Sequence, residues 1–157
     1  MKTLQQQLAG YGAYHRDRRN VLTHFVGIPL IVLAVVTLLS RPGWLAPVVA
    51  AVLALYYLLL DRRLGLLMTA LLVLCLVFGH WAAALPTTTW LTLGIGGFVV
   101  GWVLQFIGHL FEGRKPAFID DLMSLAIGPL FVVVEALFAL GLLPQLKAQL
   151  QAQGAKP

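Results

Sequence analysis

Charge is scarce in this chain of 157 residues: Asp, Glu, Lys and Arg together make up 11% of it, against about 25% in an ordinary soluble domain. With 60% hydrophobic residues beside so little charge, the chain cannot cover itself with a solvated surface. A soluble domain is excluded, and a membrane protein is left. Cysteine is scarcer still. The single Cys75 rules out an intrachain disulfide and lies inside an apolar run, where it reads as a small buried hydrophobe. Acidic residues number six against eleven basic ones, for a net charge of +5. The basic residues fall in short clusters beside apolar runs, without a basic stripe interleaved with aromatics. They suit membrane topology and anionic headgroups, and nucleic-acid binding is not expected.

What the chain has instead is hydrocarbon in long runs. Five can be drawn: Val21–Leu39, Trp44–Leu60, Leu64–Leu85, Trp90–Phe111 and Leu122–Leu143. Spanning a bilayer takes about 20 helical residues, within a range of roughly 17–25, so all five qualify and Trp44–Leu60 is the shortest. The separators carry turn chemistry, as in Ser40-Arg41-Pro42-Gly43 and Asp61-Arg62-Arg63. Such short loops imply sequential antiparallel helices. The expected fold is all-α, a polytopic transmembrane bundle of about five helices forming one domain over residues 1–157. Before the first run, Leu4, Leu8, Tyr11 and His15 recur at helical spacing. Residues 1–19 therefore read as a short amphipathic helix on the membrane surface, 21–143 as the bundle and 144–157 as a polar tail. This N-terminal stretch is too long and polar for a secretory signal. An inside N-terminus places eight basic residues on the cytoplasmic side and three outside, which favours that orientation. If one run does not span, the C-terminus changes sides.

Polar groups at membrane depth are costly and tend to mark sites. There are four histidines, and His15, His24 and His109 all fall at boundaries that this topology places on the inner side. Asn20 and His24 lie four residues apart on one helix face. Gln105, His109 and Glu112 form an i, i+4, i+7 stripe on the fourth run. Three imidazoles and a carboxylate meeting at one boundary make a metal sphere, because imidazole is the usual neutral nitrogen ligand for iron, zinc and copper. The alternative is a polar stripe that joins helices through hydrogen bonds. Arg114-Lys115-Pro116 and Asp120-Asp121 crowd mixed charge into the following loop. This is either a solvated turn or a place for a lipid carboxylate arriving from the inner leaflet. His80 and Glu135 lie elsewhere, at similar depth in the outer half of the bilayer, and are expected to pair with each other.

Two stretches carry a family resemblance. Tyr14-His15, Asn20, His24, Gly27 and Pro29 form the first. Gly101-Trp102-Val103-Leu104-Gln105-Phe106-Ile107-Gly108-His109, followed by Glu112, Arg114, Lys115, Pro116, Ala117, Asp120, Pro129, Phe131, Glu135 and Gly141, forms the second. Together they resemble the 2-hydroxy fatty acid dioxygenase family of fungal alpha-oxidation enzymes and bacterial membrane homologues. The middle runs match only in hydrophobicity. The resemblance implies an Fe(II) enzyme of a bacterial cytoplasmic membrane, or of the endoplasmic reticulum in a eukaryote. Such an enzyme uses dioxygen to shorten a 2-hydroxy fatty acid by one carbon. It puts the metal on His15, His24 and His109, with Asn20, Gln105 and Glu112 as catalytic candidates. Tyr14, Arg114 and Lys115 are the candidates for holding substrate. Glu112 or Asp120 is expected to complete or support the metal sphere, and His80 has no place in the shared pattern. Two other readings stand beside this one: a small transporter or structural bundle without enzymatic activity, and a haem-binding bundle. A transporter calls for repeat symmetry or paired broken helices, which this sequence lacks. Oligomeric state is not legible.

Overall fold

The computed structural model describes residues 2–152, and all regular structure among them is helical. Helix α1 (Leu4–Gly12) opens with a capping box: the Thr3 hydroxyl accepts from the Gln6 N–H, and the Gln6 side chain accepts from the Thr3 N–H. Its buried face carries Leu4, Leu8 and Tyr11, the spacing expected from sequence. The helix stops at Gly12, however, so His15 is not its last turn. Tight bonds from Tyr14 N–H to Tyr11 and from His15 N–H to Gly12 fold the chain into a bend. His15 is carried on that bend.

Helix α2 (Arg18–Ser40) contains Pro29; α3 (Leu45–Leu60) and α4 (Arg62–Ala83) follow. Next come α5 (Thr87–Leu91), a π-helical turn (Thr92–Gly96) and α6 (Gly97–Glu112), which together form one apolar stretch of 26 residues. After a 3-10 turn at Ala117–Ile119, α7 (Ser124–Ala139) and α8 (Pro144–Ala152) close the described chain, bent by 113° at their junction. Each of the five hydrophobic runs therefore contains a helix. Three (Arg18–Ser40, Arg62–Ala83 and Thr87–Glu112) are long and apolar enough to cross a membrane. The bent α7–α8 pair makes a fourth candidate, while Leu45–Leu60 is shorter. Large apolar side chains such as Leu22, Leu66, Leu74, Val77 and Leu110 are more than half exposed, as lipid-facing surface would be. Part of the expected polar tail is α8, and residues 153–157 with Lys156 lie outside the described residues.

By contacts the chain divides into two units, residues 29–102 and the combination of 1–28 with 103–157. The first contains a tight α3–α4 hairpin. Asp61 caps α4 by accepting from the Leu64 N–H at 2.8 Å, and Gly65 sits where a Cβ would come within 2.6 Å of the Leu58 backbone. Trp90 donates from Nε1 to the Thr37 carbonyl in the same unit. His80 is exposed here, whereas Glu135 belongs to the other unit and is partly buried.

The second unit holds α1, the start of α2, most of α6 and both C-terminal helices. Tyr11 packs against Phe131 of α7 at 4.9 Å between ring centroids. Gly128 leaves space for the Tyr11 hydroxyl, since a Cβ there would meet it at 3.0 Å. Helices α2 and α6 approach closely where Gly108 faces Thr23 and Asn20. A Cβ at this glycine would collide with Thr23 Oγ1 and Asn20 Oδ1. That approach brings the start of one apolar helix beside the end of another.

Candidate metal centre

His15, His24 and His109 converge in this second unit. Each is at least nine-tenths buried, at 2%, 1% and 6% exposure, and one nitrogen from each lies within 4.8 Å of the others. The ring centroids are 4.3, 5.0 and 5.1 Å apart. Three backbone environments deliver them: the bend after α1, the first turns of α2 and the last turn of α6.

Hydrogen bonds define the tautomers of two rings. His15 Nδ1 lies 2.7 Å from the Tyr11 carbonyl oxygen, and His24 Nδ1 lies 2.9 Å from the Asn20 carbonyl oxygen. A carbonyl only accepts, so each Nδ1 carries the hydrogen and each neutral ring presents a lone pair on Nε2. Those two Nε2 atoms face each other at 2.9 Å. Two lone pairs at that distance repel unless a positive centre lies between or beside them. A proton is disfavoured at His15, whose burial pushes it down to about 4. His109 adds a buried Nδ1 that has no hydrogen-bond partner among the described residues. The donor set therefore fits a transition-metal ion, and backbone carbonyls orient two of the rings as metal-binding histidines require.

Around the triad lies a pin made of Glu112 and Asn20. Both Glu112 carboxylate oxygens accept from the Arg16 N–H at 3.0 Å, and Oε2 also accepts from the Asp17 N–H at 2.8 Å. Asn20 Nδ2 donates to Glu112 Oε2 and to the Tyr14 carbonyl, both at 3.1 Å. One carboxylate thus ties the end of α6 to the bend bearing His15 and to the start of α2. Asn20, fully buried, supplies the carbonyl that orients His24. Neither Glu112 nor Asp120 belongs to the candidate metal-binding group among the described residues.

The remaining sequence candidates lie nearby. The Tyr14 hydroxyl donates to Asp120 Oδ2 at 2.8 Å, Lys115 Nζ pairs with Asp120 Oδ1 at 2.6 Å, and Arg114 donates to the Ala13 carbonyl at 3.1 Å. The Tyr14 and Arg114 bonds fasten the Gly113–Asp121 loop to the bend, and the Lys115–Asp120 pair closes the loop on itself. The Lys115 ammonium, and then the Tyr14 hydroxyl, hold the exposed Asp120 carboxyl below its usual range. Gln105, one turn before His109 on α6, is 5% exposed, and its Nε2 has no hydrogen-bond partner. A buried donor left unpaired costs about 1–3 kcal/mol.

Sequence reasoning missed Tyr11. Its ring stacks flat on His15, 4.2 Å between centroids and 7° from parallel, while its own carbonyl accepts the His15 Nδ1 hydrogen. In the sequence it stood out only as an apolar-face residue. The signal that could have singled it out is its position four residues before a histidine at the end of a glycine-interrupted helix.

An all-helical protein with several membrane-length apolar helices and a buried histidine triad defines the class: a helical membrane protein built around a candidate metal site. The chain belongs to the family described as 2-hydroxy-palmitic acid dioxygenase Mpo1-like, whose model matches residues 1–140. It is similar to the 2-hydroxy-palmitic acid dioxygenase MPO1 of Saccharomyces cerevisiae, with 37% identity over 157 residues covering 94% of this chain and 87% of that protein. No solved structure matches it.

Proposed function

We propose that this protein is an iron(II)-dependent membrane dioxygenase that shortens 2-hydroxy fatty acids by one carbon. Family membership supports the reaction class. The observation that carries the metal is the pair of Nε2 lone pairs facing each other at 2.9 Å beside a third buried imidazole. His15, His24 and His109 hold the ion, and three protein ligands leave positions for a substrate head and dioxygen. Iron(II) supplies the one-electron chemistry that lets dioxygen react with a closed-shell organic acid.

The electron count closes without a further reductant. Breaking the bond between C1 and C2 turns the hydroxyl-bearing C2 into the carboxyl of the shorter acid and releases C1 as carbon dioxide. This takes four electrons from the substrate, and one dioxygen accepts four. One hydroxy acid and one dioxygen therefore give one shortened acid, one carbon dioxide and one water.

Asn20 and Glu112 act as positioning residues, because their hydrogen bonds go to the segments that carry the ligands. Arg114, Lys115 and Tyr14 line the polar boundary on which a carboxylate arrives. The acyl tail stays among apolar helices and lipid. The protein is one integral membrane domain of about five helices, with α1 at the inner surface and an inside N-terminus, in a bacterial cytoplasmic membrane or a eukaryotic endoplasmic reticulum. Turnover of a long-chain 2-hydroxy acid by the iron-loaded protein, with and without oxygen, tests the proposal through product mass. The expected product is the acid one carbon shorter, formed only aerobically. Equal conversion without oxygen, or a product of unchanged length, overturns it.

A further inference from the structure

Gln105 has no structural reason to be polar. The residue is only 5% exposed on an apolar helix, and its Nε2 has no hydrogen-bond partner among the described residues. Glu112 is committed to the Arg16 and Asp17 N–H groups, and Asn20 Nδ2 to the Tyr14 carbonyl and Glu112. The other orphaned atoms of the site, Asn20 Oδ1 and His109 Nδ1, are potential acceptors or ligands, which leaves Gln105 Nε2 as the free primary-amide donor there. Four residues separate Gln105 from His109, so the free amide lies on the same face one helical turn, about 5.4 Å, farther into the apolar layer than the ligand histidine. A buried donor kept unpaired beside a candidate metal site is a group awaiting an acceptor that arrives from outside the chain.

We propose that Gln105 is a substrate-binding residue whose Nε2–H donates to an oxygen of the 2-hydroxy carboxylate head when that head binds at the histidine triad. The inference rests on the dioxygenase reading and deepens it by naming what recognises the head. The chemistry is complementary. A 2-hydroxy carboxylate brings acceptor oxygens into a layer without water, and a primary amide supplies a neutral donor that leaves the charge of the site unchanged. Its position on the apolar side suits a ligand whose tail lies among the helices. Plain glue between helices is the competing explanation, but glue consists of bonds made, and the Nε2 of this amide makes none among the described residues.

The test compares wild type, Gln105→Leu and Gln105→Glu in bilayer discs, each loaded with iron(II) and kept anaerobic. Equilibrium binding of a long-chain 2-hydroxy acid and of the same acid without the hydroxyl is measured beside metal content. A hydrogen bond to a charged acceptor corresponds to roughly 10- to 150-fold in affinity. Gln105→Leu should therefore bind the 2-hydroxy acid about 10- to 150-fold more weakly at unchanged iron content. Gln105→Glu should bind it more weakly still, because a carboxylate there repels the ligand. Two results overturn the assignment: equal binding by wild type and Gln105→Leu, or iron loss in Gln105→Leu that accounts for its whole defect. Failure of the wild type itself to bind the 2-hydroxy acid counts against the dioxygenase reading, a separate outcome from the failure of Gln105 alone.

Discussion

His24 presents its Nε2 to that of His15 at 2.9 Å, and His109 has a buried Nδ1 with no hydrogen-bond partner among the described residues. On the proposed iron site, replacing His24 or His109 with alanine removes one of three donors and leaves too few to retain the ion. The expected result is protein that still inserts in the membrane but purifies without stoichiometric iron, as read by metal analysis. Full occupancy in His109→Ala would falsify the triad. Glu112 predicts a different pattern. Its carboxylate accepts backbone N–H groups of Arg16 and Asp17. In Glu112→Gln an amide NH₂ replaces one accepting oxygen and confronts those donors. Partners outside the ligand shell typically change metal affinity by about 10- to 100-fold. Glu112→Gln should therefore bind iron about 10- to 100-fold more weakly while keeping near-normal turnover per bound iron. Normal iron affinity with lost turnover would instead make Glu112 a group acting directly on substrate. The residue types were legible in the sequence: the three histidines and Glu112 stood out as polar groups at membrane boundaries, Asn20 as sharing a helix face with His24, and Gln105 as part of one helical stripe with His109 and Glu112. What Glu112 bonds to was not, because its partners are main-chain N–H groups about 95 positions away. Residue type does not reveal such contacts.

Among the elements, the helices follow the hydrophobic runs closely. Trp90–Phe111 lies inside the apolar stretch Thr87–Glu112, and Val21–Leu39 lies inside Arg18–Ser40. Apolar length is a local property, so the sequence reports it directly. The end of α1 was misread because helical periodicity continues to His15 on paper. In the folded chain, the bonds to Tyr11 and Gly12 turn the backbone three residues earlier. The α2–α6 approach was also hidden, although Gly108 beside His109 marks it in retrospect. Gly108→Val places two methyl groups against Asn20 and Thr23. Overpacking of this kind costs about 1–3 kcal/mol, and here it also displaces His109 from His24. Lowered thermal stability together with iron loss is expected. A Gly108→Val protein with unchanged melting and full iron would show that α2 and α6 do not need this contact. The joined elements also set topology: Glu112 bonds to Arg16 and Asp17, so the bend and the end of α6 must share one membrane face. Cysteines introduced at positions 18 and 115 in a Cys75→Ala background should label from the same side. Labelling from opposite faces would dismantle the site.

For the whole molecule, the proposed function turns on the relation between a buried polar site, read as lying at the membrane boundary, and the exposed apolar side chains of the helices. A substrate with a long tail need not leave the lipid to reach such a site; only its head has to move. Each methylene transferred from water to hydrocarbon contributes about 0.8 kcal/mol, or roughly fourfold in an equilibrium constant at 25 °C. Expressed against aqueous concentration, kcat/KM for a series of saturated 2-hydroxy acids should rise by about fourfold per added methylene. Expressed against concentration within the bilayer, the same data should be nearly flat, because the tail occupies hydrocarbon both before and during binding. An enclosed protein tunnel would behave differently. It would give a maximum at one chain length on either scale, since a tail that is too long must be left out or folded. Rates in bilayer discs with measured partition coefficients separate the two. A sharp optimum surviving the correction, or efficient turnover of a short water-soluble 2-hydroxy acid, would refute the picture of a tail left in lipid.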